Sequence, residues 1–350
     1  MLGAAALVTA AGSAALFARR PAHDGPGLRV LVLGGTRFVG RAIVTEALAR
    51  GHTVTLFNRG RTNPGLFPEA ERIVGDRNGD HSELRGRTWD VVVDTSGTEP
   101  EHVERACAAL AGATGQYVYT SSIAAYQAAP APWTEDIPLK IVPAAGPRNY
   151  GEKKSRCEQI VAAAFATPVI LRPAVLIGPH DARHRFVRWP LRAREGGELL
   201  VPGSADAATP FADVRDLADW LVPALERGIT GAFNIGGPPD TMGALIDAAL
   251  AYGPAAPVWI DRAWLRDQAV DYDSLPSLGT SGYHTMSSAR AIAEGLQFRG
   301  VAESMVDTLG WWDAQADRPT KLQGPTRARE QELIAAWRAR GGSPPAPTPG

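Results

Sequence analysis

Short apolar runs alternate with longer amphipathic stretches through most of this chain. Leu28-Arg29-Val30-Leu31-Val32-Leu33 is the first such run, and a short run of this kind fits a buried strand. The pattern predicts strands near 28–33, 53–57, 90–94, 116–120 and 168–172, with helices between them. Strands that alternate with helices predict an α/β fold built on a doubly wound parallel sheet. Beyond Gly178 the pattern is more irregular, with helices expected near 213–226, 241–252, 301–316 and 326–339. The chain therefore divides into an N-terminal segment and linker (1–27), a main domain built on that parallel sheet (28–172) and a smaller part (173–325). That smaller part is expected to bind substrate and to return elements to the main sheet. A C-terminal helix and tail (326–350) follow.

The first strand runs directly into Gly34-Gly35-Thr36-Arg37-Phe38-Val39-Gly40, followed by an amphipathic stretch from Arg41 to Arg50 closed by Gly51. Strand, glycine turn and helix in that order, with Gly51 at the helix C-cap, suit a dinucleotide. Gly34 makes the tight turn and Gly40 permits close helix–strand packing. Free N–H groups at the helix start then face a pyrophosphate.

Composition is that of a globular chain: 350 residues, 45% hydrophobic and 21% charged. A formal net charge of −1 argues against a nucleic-acid footprint. Cys107 and Cys157 fall in expected helices and lack metal-ligand spacing, so buried free thiols are expected rather than a disulfide framework. Met1 to Ala18 carries no charged side chain and precedes Arg19-Arg20 and a Pro/Gly spacer, Pro21 to Gly27. Three readings stay open for it: an export signal, a weak membrane anchor or a disordered extension. Localisation stays open with them, between cytoplasm and an exported or anchored state, and any membrane contact is expected only through residues 1–18. The Pro-rich end, Ser343 to Gly350, reads as disordered.

Candidate chemistry centres on Tyr150 and Lys154. The chain has only four lysines (Lys140, Lys153, Lys154 and Lys321), so a lysine four residues after a tyrosine is informative. That spacing puts both side chains on one helix face, one turn apart. A phenol beside an ammonium has its anionic form favoured, which suits a general acid/base near neutral pH. A surface Tyr–Lys pair on an amphipathic helix fits the same spacing.

From about Arg29 to about Trp312 the chain resembles the extended short-chain dehydrogenase/reductase superfamily, the NAD-dependent epimerase/dehydratase family. Gly34 to Gly40 looks like the family's G-x-x-G-x-x-G loop, with Arg37 in place of the middle glycine. Gly75-Asp76 resembles the G-D after the third strand, which implies that Asp76 meets the adenine. Val118-Tyr119-Thr120-Ser121-Ser122, then Tyr126, resembles the strand-end serine motif and implies that Ser122 is the catalytic serine. Tyr150 and Lys154 fall on the catalytic pair. Leu171-Arg172-Pro173 with Gly178-Pro179, and Phe211 to Ala218, resemble stretches of the substrate-side half. The resemblance implies hydride transfer at a secondary alcohol or ketone. Tyr150 would move the hydroxyl proton, Lys154 would hold the nicotinamide ribose, and Ser122 would bind the substrate oxygen. It also implies a homodimer.

The expected cofactor contacts are Gly34, Thr36, Arg37, Phe38, Val39, Gly40, Asn58, Arg59, Arg61, Asp76 and Lys154. An NAD site offers an acidic residue after the second strand, whereas this chain has Asn58-Arg59-Gly60-Arg61, with Arg37 nearby. Arginine forks suit a 2′-phosphate, so NADP(H) is favoured over NAD(H). Solvated turn arginines are the alternative.

The connection from Gln127 to Arg148 carries five prolines and lies between Ser122 and Tyr150, well placed to cover a substrate. Expected substrate contacts are Trp133 in that connection and Arg183, Arg185 and Arg188 beyond Gly178. Those arginines suit a phosphate or carboxylate, and they also fit a solvated helix face. His180 and His184 stand beside turn-forming Pro179 and Asp181, and no metal is expected. Val175 stands where nucleotide-sugar enzymes of the family have asparagine, and Ile123-Ala124 replace the acidic pair of sugar dehydratases. Sugar 4,6-dehydration is thereby disfavoured. A net oxidoreductase leads, ahead of an epimerase with retained cofactor and a non-catalytic cofactor-sensing or RNA-binding relative.

Overall fold

The computed structural model describes residues 25–79, 81–209, 211–237, 240–270, 286–318 and 322–342. The apolar N-terminal segment and the Pro-rich C-terminal tail discussed above lie outside the described residues. Among the described residues no helix is long and apolar enough to cross a membrane.

The main sheet has seven strands, all parallel: β1 (Arg29–Leu33), β2 (Thr53–Asn58), β3 (Glu71–Val74), β4 (Trp89–Asp94), β5 (Thr114–Thr120), β6 (Val169–Pro173) and β10 (Gly231–Ile235). Their order across the sheet is β10-β6-β5-β4-β1-β2-β3. Helix α1 (Phe38–Ala49) packs with α5 (Val214–Glu226) on one face, and α2 (Pro100–Leu110) with α3 (Tyr150–Ala164) on the other.

This explains the unbroken apolar runs. Successive β1 side chains point to opposite faces, and both faces are covered by helices. Val30 and Val32 join Ile43, Val44 and Leu217 on the α1/α5 side. Leu31 and Leu33 join Val103, Cys107 and Val161 on the other. Cys107 and Cys157 are both buried and free.

Past β6 the chain leaves the sheet. β7 (Val175–Ile177) pairs with β9 (Phe211–Asp213), and β8 (Gly197–Pro202) pairs with β11 (Ala255–Ile260). Around them lie α4 (Arg188–Glu195), α6 (Met242–Leu250), α7 (Arg262–Asp267), α9 (Val301–Asp313) and α10 (Arg327–Ala339), with a short α8 (Ala289–Ala293) nearer β10. A second core of Trp189, Leu200, Phe211, Leu245, Leu333 and Trp337 holds this part together. Strand β10 returns to the main sheet beside β6.

The five strands expected from the pattern lie within a few residues of β1, β2, β4, β5 and β6. The periodicity did not mark β3 and β10. β3 is a sheet edge whose residues are half-buried or exposed, so little of it reads as apolar.

Candidate active site

Gly34 and Gly35 carry the chain out of β1 with φ of 112° and 87°, where an L side chain is strained. A Cβ on Gly40 would lie 2.8 Å from the Gly35 nitrogen and 2.9 Å from Thr95 Oγ1. Only glycine lets α1 approach β1 this closely. The helix opens with Arg37 as its N-cap, and no side chain caps it. Its first N–H groups therefore face the turn.

A cavity of about 400 Å³ opens above this turn, at the carboxyl ends of β1, β2 and β4. This is the place where the strand order reverses, the expected ligand crevice of such a sheet. Gly34, Thr36, Arg37, Asn58, Arg59, Arg61 and Asp76 line it, as do Thr95 and Ser96. Asn58 ties β2 to the turn by donating to the Gly34 carbonyl at 2.8 Å. Arg59 and Arg61 are exposed at the rim. Asp76 Oδ1 accepts from the Asn78 backbone N–H at 2.9 Å, which holds its carboxyl below the ordinary range; Arg59 and Arg61 add to the effect. The strained turn, the open helix start and the cationic rim fit a dinucleotide. Phe38 and Val39, expected among the contacts, instead pack toward the core on the α1 side and do not line the cavity.

Ser122, Tyr150 and Lys154 lie outside the wall of that cavity. Helix α3 starts at Tyr150 because Asn149 caps it, accepting from the Glu152 N–H at 3.0 Å. The Tyr150 side chain is half exposed. One turn on, the buried Lys154 donates to the carbonyls of Thr120 at 2.7 Å and Gly97 at 2.8 Å. Its Nζ is 5.8 Å from the Tyr150 ring centre and 4.8 Å from that of Tyr119. Burial pushes its pKa down to about 8, although Asp94 opposes the shift. Ser122 caps a 3-10 turn (Ile123–Ala125) directly after β5, its Oγ accepting from the Ala124 N–H at 3.2 Å.

Two buried polar groupings beside these residues escaped the sequence reading. Asp94, at the end of β4, accepts from the backbone N–H groups of Ser96 and Gly97 and forms a two-point pair with Arg77 at 2.7 and 2.8 Å. Burial alone would raise the Asp94 pKa, but the Arg77 charge and hydrogen bonds outweigh it and hold it low. Gly97, donating its N–H to the Asp94 carboxylate and accepting from the Lys154 ammonium at its carbonyl, therefore connects the two. A carboxylate ending the apolar run Val91-Val92-Val93 was the available signal. In the second grouping, Ser121 donates to Glu158, and Arg172 pairs with Glu158 at 2.7 Å and donates to the Tyr126 hydroxyl at 2.8 Å. Tyr126 in turn donates to Asn234 at 2.7 Å.

The expected substrate contacts fare differently. Trp133 is buried against Tyr126 and Ile123, and its indole N–H donates to the Ala129 carbonyl at 2.9 Å. Its polar edge is spent inside its own loop. Arg188, expected as a substrate contact, is buried in α4 against Glu330 of α10. Arg185 is held by Asp181 at 3.0 Å and by the Leu176 carbonyl at 2.8 Å. Arg183 is exposed. His180 and His184 pack against Trp311, and burial pushes His180 down to about 4.

Residues 92–236 match the NAD dependent epimerase/dehydratase family. Over 258 residues the chain is 30% identical to the 2-alkyl-3-oxoalkanoate reductase of Stenotrophomonas maltophilia, covering 64% of this chain and 75% of that protein. The chain belongs to that family. It is also 27% identical over 232 residues to the chloroplast stem-loop binding protein of 41 kDa b of Arabidopsis thaliana, spanning 60% of this chain and 58% of that relative. Among solved structures, the UDP-N-acetylglucosamine 4-epimerase of Bacillus cereus superimposes with a TM-score of 0.63 at 21% identity, over 84% of this chain and 99% of its own. The Bordetella bronchiseptica enzyme WbmG in complex with NAD gives 0.62 at 19% identity, over 83% and 95%. These likenesses show the Rossmann-type fold of a family of nicotinamide-dependent enzymes.

Proposed function

We propose that this protein is an NADP(H)-dependent oxidoreductase acting on a secondary alcohol or ketone of a small molecule. The observation that carries the reading is Lys154 buried one helical turn from Tyr150, beside the strand end that bears Ser122. When bound, the nicotinamide supplies or accepts the hydride. Tyr150 moves the hydroxyl proton, and its half-exposed phenol is open to substrate. The Lys154 ammonium favours the phenolate and offers a hydrogen bond to the nicotinamide ribose. The Ser122 Oγ already accepts from Ala124, so its own O–H remains to hold the substrate oxygen.

Preference for the 2′-phosphate rests on Arg59 and Arg61 at the cavity rim, where β2 is followed by no carboxylate. The name of the Stenotrophomonas relative, a reductase, supports a net redox reaction. An epimerase with retained cofactor uses the same three residues, and Val175, unable to hydrogen-bond a diphosphate, weighs against a nucleotide sugar. The chloroplast relative's name raises a non-catalytic reading, against which the complete Ser122, Tyr150 and Lys154 set weighs. A homodimer is part of the proposal and is checked by sedimentation.

Calorimetric titration with NADPH, NADP, NADH and NAD, after assay for co-purified cofactor, tests the reading. Tight and exchangeable NADP(H) supports it. Cofactor retained through purification favours the epimerase, and no binding at all favours the non-catalytic relative.

A further inference from the structure

Each lysine of α3 has a partner. Lys153 pairs with Glu99 at 2.8 Å, and Lys154 donates to two carbonyls. Lys140 does not: among the described residues its ammonium makes no hydrogen bond or ion pair. Its position is nonetheless fixed. The Lys140 N–H donates to the Ala125 carbonyl at 2.7 Å, and its own carbonyl accepts from Ser155 Oγ at 2.7 Å. Leu139 and Tyr126 form an antiparallel bridge just before it. The backbone of Lys140 is thus stitched between the turn that follows Ser122 and the helix that begins with Tyr150.

The side chain folds back along that helix. A Cβ added to Gly151 would lie 2.6 Å from Lys140 Nζ and would collide with the Ala124 carbonyl oxygen. The ammonium therefore sits against Gly151, the residue after Tyr150 in the first turn of α3. A cation at a helix start is opposed by the helix dipole. The one acidic residue of that turn, Glu152, is engaged by the Arg148 N–H at 2.7 Å and the Asn149 amide at 2.9 Å.

We propose that Lys140 is the anion contact of the substrate pocket, and that the substrate carries a carboxylate or phosphate near its reacting carbon. This deepens the functional reading above and rests on it. An anion at this point neutralises the ammonium and orients the reacting oxygen toward Tyr150 and Ser122 by a charge-assisted hydrogen bond.

Because the chain has four lysines, reductive methylation with 13C-formaldehyde gives a lysine spectrum simple enough to assign, with Lys140→Gln identifying one signal. The NADPH-saturated protein is titrated separately with inorganic phosphate and with acetate at constant ionic strength. A saturable shift of the Lys140 signal is expected with one of the two, and which one names the anionic group. Shifts that are linear, or no larger than those of the other lysines with both anions, overturn the proposal. NADPH binding is read by nicotinamide fluorescence on the unmodified protein, because methylation can reach Lys154, the proposed ribose contact. Its absence would strike the oxidoreductase reading and with it any substrate role for Lys140, whereas normal NADPH binding without the shift removes the anion contact alone.

Discussion

The Lys154 ammonium lies 5.8 Å from the centre of the Tyr150 ring, one turn along the same helix, and is held there by carbonyls from two other segments. The helix sets the spacing, and Gly97 and Thr120 set the direction in which the ammonium points.

Tyr150→Phe removes the phenolic hydroxyl and keeps the half-exposed ring at the first helical position. Turnover is expected to fall by about 100- to 10,000-fold, the range of a lost general acid/base. Cofactor affinity should stay unchanged. Full activity in this variant would rule out the proposed chemistry.

Burial moves Lys154 from its ordinary 10.5 to about 8, so the folded chain releases this proton at lower pH than the unfolded chain. The cost of the buried ammonium is fully present below pH 8 and is lifted as pH rises toward 10.5, so this group makes stability increase with pH across that window. The displacement corresponds to about 3 kcal/mol at most. Comparison of apo wild type with Lys154→Met by thermal unfolding should show wild type gaining on the variant between pH 8 and 10. A constant difference would mean that burial imposes no such cost.

Arg59 and Arg61 stand at the cavity rim. Replacing both with alanine should weaken NADPH binding about tenfold to a hundredfold, the loss of charged hydrogen bonds, and leave NADH nearly unaffected. Equal weakening of both cofactors would mean that neither arginine reads the 2′-phosphate.

Glu330 is fully buried and receives Arg192 Nε at 2.9 Å, Arg327 at 2.9 Å and the Leu200 N–H at 3.0 Å, with Arg188 at 3.5 Å. Glu330→Gln leaves the buried Arg188 guanidinium without its paired carboxylate and takes one of two carboxylates from Arg192, and is expected to cost roughly 3 kcal/mol or more. Denaturant unfolding measures it. Arg188→Met should leave KM unchanged; a raised KM would return Arg188 to the substrate pocket.

The parallel sheet, the glycine turn and the Tyr150–Lys154 pair were legible because each depends on residues close together in the chain. Period and spacing act within one strand, one turn or one helix. The Asp94–Arg77 pair and the Ser121–Glu158–Arg172 grouping were not legible, because their members come from separate elements that only the sheet order brings together.

Trp133 and Arg188 show the limit most plainly. An indole in a proline-rich loop and an arginine in a basic run carry the same local signal whether they face a pocket or a core. The sequence alone therefore determined most strands of the main sheet, the glycine turn and the spacing of Tyr150 and Lys154 on one helix face. Which polar side chains are left facing a ligand was decided by tertiary packing, since a buried charge settles where a counter-charge or a carbonyl can satisfy it. Arg188 found Glu330, Lys154 found two carbonyls, and Lys140 was left against Gly151 at the start of α3 without either among the described residues.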